Sequence, residues 1–309
     1  MSKLLVIITV FIFALNSYSQ SAGDIVKKGL DFHARGDYDR AIDQFSEAIL
    51  LTSRPVRRSV SIPGSSFQDG ESTAGATILD RVRFIDPRTA IAHLFRGNSY
   101  FGKSDLDAAI NDYSEAISIT PGLAEAYVAR GMAWLAKKDL ERASADLDRA
   151  IRLNSKLTRA YAGRGLIRLD RHDMQGAMED FNKAVELEPK NAGMYYHRGD
   201  ARRVTRDNAG ALADFDQAMK LDPKLASPYL GRGTIRLHNR DYEAAIKDFD
   251  KALELNDHYA EAFKNRGFAY AALGKTAESA KDIERALALA PRYRAEIDTN
   301  LKIISSWKR

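Results

Sequence analysis

The chain has 309 residues, room for two average domains or one long array of repeats, and 45% are hydrophobic and 29% charged, a balance that supports a buried core and excludes intrinsic disorder. Forty-seven Lys and Arg face 42 Asp and Glu, a net charge of +5; both signs are interspersed, so no basic block marks a nucleic-acid binder. Cysteine is absent, which excludes disulfides, thiolate metal sites, iron–sulfur clusters and cysteine nucleophiles.

At the N-terminus, Lys3 precedes an apolar run from Leu4 to Leu15 broken only by Thr9. The small residues of Ser17-Tyr18-Ser19 follow, and together they predict an export signal over 1–19 with cleavage after Ser19. The run is shorter than the ~20 residues that span a bilayer; an uncleaved interfacial anchor is the alternative. The mature chain is therefore expected to be extracytoplasmic, secreted or periplasmic, with no stable membrane insertion. Absence of cysteine suits an oxidising compartment.

Beyond the signal the sequence repeats. Gly97, Gly131, Gly165, Gly199, Gly233 and Gly267 are 34 residues apart, and Gly29 stands 68 before the first of them. Twelve residues after each glycine comes Ala41, Ala109, Ala143, Ala177, Ala211, Ala245 or Ser279. Four further on is a large apolar residue: Phe45, Tyr113, Leu147, Phe181, Phe215, Phe249 or Ile283. Nineteen after each glycine an alanine recurs, from Ala48 to Ala286. Small residues at fixed positions let two helices approach, and the large residue fills the space between them. Each unit reads as two amphipathic helices, A and B; in one unit A covers Ala124 to Ala136 and B covers Leu140 to Leu153. Before helix B stands Asp37, Asp105, Asp139, Asp173, Asp207 or Asp241, suited to accept from the free N–H groups of the first turn. Proline closes several units, at Pro121, Pro189, Pro223 and Pro291.

These features resemble the tetratricopeptide repeat family, whose signature combines an aromatic, a Leu-Gly pair, a Tyr, then Ala-x3-Phe and Pro. The resemblance covers 22–55 and 90–293. It implies an all-α, right-handed solenoid of tandem helix-turn-helix hairpins: a first repeat over 20–55, then six over 90–123, 124–157, 158–191, 192–225, 226–259 and 260–293. Residues 56–89, with five Ser, three Thr, three Gly and two Pro, read as a flexible insert with a short helical piece near Ile78 to Phe84, or as a decayed repeat. Ile297, Leu301 and Ile304 share a helical face near Trp307, so 294–309 is expected to cap the last repeat. One departure is systematic: the Leu of the Leu-Gly pair is Arg96, Arg130, Arg164, Arg198, Arg232 or Arg266, with Lys28 in the first unit.

Sixteen residues after each of those arginines stands Asp112, Asp146, Asp180, Asp214, Asp248 or Asp282. A partly buried ion pair is expected in each of these six hairpins, since the planar guanidinium matches a carboxylate; the alternative is an arginine ladder gripping an anionic polymer. A second row, Arg168, Arg202 and Arg236, replaces the family's aromatic and shows no recurring acid. These unpaired arginines are candidates for an anionic ligand such as a cell-envelope polysaccharide. Gly97 to Ser104 fits G-x-x-x-x-G-K-[ST], the phosphate loop; it continues a helix A pattern where that chemistry needs a strand and an open turn, so it is a chance match. His33, His93, His172, His197, His238 and His258 show no metal-ligand spacing and read as surface residues. No catalytic constellation emerges, so the chain is expected to be neither an enzyme nor a holder of metal or cofactor.

In the family that the chain resembles, helix A lines the concave side and binds peptides or proteins. That geometry assigns the inward face to Leu94, Asn98, Phe101, Val128, Met132, Arg159, Leu166, Tyr196, Asp200 and Arg203, continuing through Leu230, Leu237, Lys264 and Phe268, with Leu135 and Leu169 packed between adjacent A helices. The Lys and Asn clamp by which chaperone-binding relatives hold a carboxylate is missing. Phe101 and Met132 are the leading contacts for apolar anchors of a partner. The function expected is an exported scaffold or adaptor for a protein or peptide. Alternatives are the anionic-polymer binder and a non-catalytic subunit of an envelope enzyme complex.

Overall fold

The computed structural model describes residues 21–53 and 87–306, and these are helical with no strand. The export signal, nearly all of the insert and Trp307 lie outside the described residues. The chain divides into two compact units, one ending at Ser155 and one beginning at Lys156. The first holds α1 (21–34), α2 (Tyr38–Thr52), α3 (Pro87–Gly102), α4 (Leu106–Ile119), α5 (Ala124–Ala136) and α6 (Leu140–Leu153). The second holds α7 (Thr158–Asp170), α8 (Met174–Leu187), α9 (Ala192–Val204), α10 (Asn208–Leu221), α11 (Ala226–His238), α12 (Tyr242–Leu255), α13 (Ala260–Leu273) and α14 (Thr276–Leu289). A 3₁₀ turn at Pro291–Tyr293 then leads into α15 (Arg294–Ser306). Odd-numbered helices through α13 are A helices and even-numbered ones their B partners. The fold class is thus the expected series of tandem hairpins. Helix α3 starts at Pro87, three residues earlier than the repeat boundary read from sequence.

The repeat glycine has a steric reason. A Cβ on Gly97 would lie 2.6 Å from the Tyr113 ring, and one on Gly233 would lie 2.7 Å from Phe249. The large B-helix residue therefore presses directly on the A-helix backbone, and any side chain there would force the pair apart. Phe45, Tyr113, Leu147, Phe181, Phe215 and Phe249 are almost completely buried, as are the alanines that flank them. Each such residue removes its whole side chain from water, worth about 2–3 kcal/mol.

The A–B turn is built the same way each time. The backbone N–H of Lys138 donates to Leu135 O at 3.0 Å and that of Asp139 to Trp134 O at 3.0 Å, the paired bonds of a Schellman motif. The pattern recurs at Asp37, Asp105, Asp173, Asp207, Asp241 and Lys275. The residue before each of these has positive φ. It is glycine at Gly36 (76°) and Gly274 (81°), and otherwise Ser104, Lys138, His172, Arg206 or Arg240 at 60–66°. Asp37, Asp105, Asp139, Asp173 and Asp207 also accept from the N–H three residues ahead, capping helix B. Asp241 occupies the same place without that side-chain bond. One residue thereby closes helix A and opens helix B.

Candidate partner-binding face

The six arginines before the repeat glycine are pinned. In every case Nε and Nη2 donate to the two oxygens of the aspartate sixteen residues on, at 2.7–3.0 Å. These aspartates are only 2–7% exposed. The remaining Nη1 reaches back to the preceding B helix: from Arg96 to Ser46, from Arg130 to Ser114, from Arg232 to Asp216 and from Arg266 to Asp250, at 2.6–3.0 Å. Arg198 does the same more loosely, to Asn182 Oδ1 at 3.3 Å. One fork thus joins its own A helix, its own B helix and the B helix before it, which an apolar Leu cannot do. Burial works against the Asp112 carboxylate, but bonds from Arg96 and from His93 Nδ1 outweigh it and hold its pKa below the ordinary value.

The second arginine row is paired as well, which overturns its reading as a set of free cations. Arg168 Nη1 lies 3.0 Å from Asp180 Oδ2, Arg202 Nη1 2.8 Å from Asp214 Oδ2, and Arg236 Nη1 2.8 Å from Asp248 Oδ2. Each buried aspartate of these hairpins therefore serves two guanidiniums. Arg168 and Arg202 also donate to the carbonyls of Gly176 and Gly210, at 2.9 and 3.3 Å. The sequence carried the signal: Arg164 and Arg168 are four residues apart, as are 198 and 202, and 232 and 236, so each couple shares one helix face.

Along the expected inward face the side chains divide three ways. Leu94 and Val128 are 7% and 5% exposed, so they are core residues and not contacts. Leu230 is buried likewise. Leu94 shares a cluster with Ala126 and Ala133 of the next A helix, and Leu230 with Ala262 of the next. Phe101 and Met132 are half-buried, Phe101 resting on the cluster around Tyr113 and Leu94. Leu166 and Leu169 are half-buried against Phe181. Arg159 is exposed. Asn98 accepts a 3.0 Å bond from the Tyr113 hydroxyl, which occupies its amide oxygen.

Tyr196, Asp200 and Arg203 form a polar cluster on α9. Arg203 donates to Asp200 Oδ1 at 2.6 Å, each side chain about one-third exposed. Tyr196 tilts over the Phe215 ring at 6.2 Å; burial, with Asp200 adding to it, pushes its phenol well above the ordinary pKa, so it stays a neutral donor. His197 stacks on Phe181 at 6.1 Å, and burial lowers its pKa. His33 and His93 are likewise engaged, with Ser99 at 3.0 Å and Asp112 at 2.8 Å, so three histidines expected at the surface are half-buried and hydrogen-bonded or stacked instead.

The phosphate-loop match has no loop. Gly97 to Gly102 belong to α3, and the N–H groups of Lys103, Ser104 and Asp105 are spent on Ser99, Phe101 and Tyr100 carbonyls. The Lys103 ammonium bonds Asp39. Among the described residues no group of three or more His, Asp or Glu side chains could hold a metal. No described helix is long and apolar enough to cross a membrane.

Family models for tetratricopeptide repeats match residues 97–137 and 241–274, 124–157, 162–226, and 260–293, together more than half of the chain. The chain belongs to the tetratricopeptide repeat family. Among solved structures it resembles a tetratricopeptide repeat protein from Parabacteroides merdae, with TM-score 0.62 and 17% identity over 93% of this chain and 99% of that one. It also resembles a chain of the APC/C hetero-tetramer Cut9–Hcn1, with TM-score 0.64 and 18% identity over 74% of this chain. The match spans only 44% of that longer relative. A third, pilF of Pseudomonas aeruginosa, gives TM-score 0.57 and 17% identity over 67% of this chain and 97% of that one. At such identities the likeness is one of fold. No curated protein matches the chain. Tetratricopeptide folds are in general scaffolds for protein–protein interaction, and their Leu-Gly leucine is replaced in this chain by the arginine fork.

Proposed function

We propose that this tetratricopeptide protein is an exported, non-catalytic scaffold that holds a partner protein or peptide on the exposed face of its A helices. The observation that carries the reading is the contrast between rows. Both arginine rows are consumed by buried aspartates, while Phe101 and Met132 keep apolar surface open on that face. The pairing removes the premise of an anionic-polymer site and favours apolar anchors. Export rests on the signal-like sequence of 1–19, which also supports an extracytoplasmic location.

Met132→Glu tests the reading, because a charge in an apolar contact must be desolvated on binding. Tagged wild-type and variant chains would be used to capture partners from native envelope extract, with mass spectrometry as the readout. A partner retained by wild type at moderate salt should be lost at least tenfold by the variant while helical circular dichroism stays intact. Retention of the same partner by both chains would refute this face as the binding surface. Recovery of the chain wholly in the cytoplasm on fractionation would refute export.

A further inference from the structure

The last hairpin's part of the A-helix face is already occupied by the chain itself. Lys264 and Phe268 fall on that face, and both are 6% exposed. The Lys264 ammonium donates to Glu296 Oε1 at 2.6 Å and lies 4.4 Å from the centre of the Tyr293 ring. Phe268 packs with Ile297 and Ile304, and Leu301 joins the same cluster. Among the described residues Lys264 is the only buried lysine, and its ion pair and its ring contact both come from the C-terminal segment.

Two features set α15 apart from an internal helix. It packs on Phe268 of α13, with Ile283 and Leu287 of α14 only at the margin of the same cluster, and an open cleft of about 1000 Å³ remains toward α14, lined in part by Ile283, Leu287, Leu301 and Ile304. Its outer side keeps Ile303 46% exposed. Removal of α15 would let Lys264 return to water, where an ammonium is well solvated, so the buried charge does not lock the helix in place.

We propose that the Lys264–Phe268 face of α13 is a docking site for an amphipathic helix carrying an acid followed by apolar residues one, five and eight positions on, and that α15 is its resident, displaceable occupant. The pattern is that of Glu296, Ile297, Leu301 and Ile304. This rests on the A-helix face being the binding surface, and it adds both the class of segment bound there and the competition that regulates it. The acid pairs with Lys264, and the apolar stripe covers Phe268.

The test needs no knowledge of the partner. The probe is a fluorescent peptide of residues 291–306, added to the full chain and read by anisotropy. Wild type, whose site is filled, should bind it at least tenfold more weakly than the Glu296→Lys chain, in which the resident helix faces a like charge. Adding Lys264→Glu to that chain restores the internal pair with opposite polarity and should abolish probe binding again. Hydrogen exchange of 294–306 reports whether α15 has loosened; if Glu296→Lys leaves it protected, Ile297→Ala provides the second loosened chain. Release of α15 without probe binding overturns the docking site. Protection of α15 in both variants shows a fixed cap and overturns displacement. Neither result touches Met132, so the wider reading of the A-helix face stands or falls separately.

Discussion

Asp214 shows how much one side chain organises in this protein. It accepts Nε and Nη2 of Arg198 at 2.9 and 2.7 Å and Nη1 of Arg202 at 2.8 Å, while only 3% exposed. Removal of the acid takes the buried carboxylate from two guanidiniums, whereas removal of either arginine leaves one pair intact. Asp214→Ala should therefore cost about 3–5 kcal/mol, and Arg202→Ala about 1–2 kcal/mol. Urea unfolding of both single variants and the double variant checks this, and zero coupling between the two sites would contradict the shared pairing. Asp112 makes the corresponding pH statement. Its folded-state pKa lies below the ordinary value, so its contribution is complete above the unfolded pKa of about 3.9 and is lost as pH falls through the lower folded value. Wild type should lose stability below about pH 4, and Asp112→Asn, weaker at neutral pH, should lose less over that range. Thermal midpoints measured from pH 3 to 7 would decide it.

The helices themselves were legible because close approach of A to B demands small and large residues at fixed spacing, and glycine, alanine and phenylalanine are conspicuous in sequence. The termination of helix A was not. Its positive-φ position is glycine at only two turns, and Ser104, Lys138, His172, Arg206 and Arg240 adopt it elsewhere. An L-residue pays for that conformation with steric strain of about 1 kcal/mol or more. Gly274→Ala should accordingly destabilise the last hairpin by about 1 kcal/mol, and Lys138→Gly should be neutral or stabilising by less than that. Differential scanning calorimetry of the two variants reads both signs at once. The partner of Arg168, Arg202 and Arg236 was missed for a related reason. A separation of sixteen residues picks out one partner of each aspartate, while antiparallel helices let residues four apart on one converge on one residue of the other. Leu94 shows the limit of periodicity, which fixes the face a residue occupies but not whether Ala126 and Ala133 of the next A helix close over it.

For the molecule as a whole, the most telling connection is the long one. Residues 53–86 separate α2 from α3, yet the two helices pack as consecutive ones do. Phe45 and Phe95 stack at 5.9 Å, Arg96 reaches Ser46 at 3.0 Å, and Lys103 pairs with Asp39. Elsewhere the equivalent junction takes four residues, as from Thr120 to Leu123. Replacing 53–86 with a junction of that length should raise stability by about 2 kcal/mol, the loop-closure entropy of roughly three doublings in length. A lower midpoint would show that the segment contributes packing of its own. By contrast the A–B turn, where one aspartate ends one helix and begins the next, has no slack for an added residue. The two kinds of junction therefore differ as sites for construction. A folded cargo domain spliced between Ser53 and Pro87 would ride beside the array without disturbing its register, which makes this junction a natural port for fusion and display.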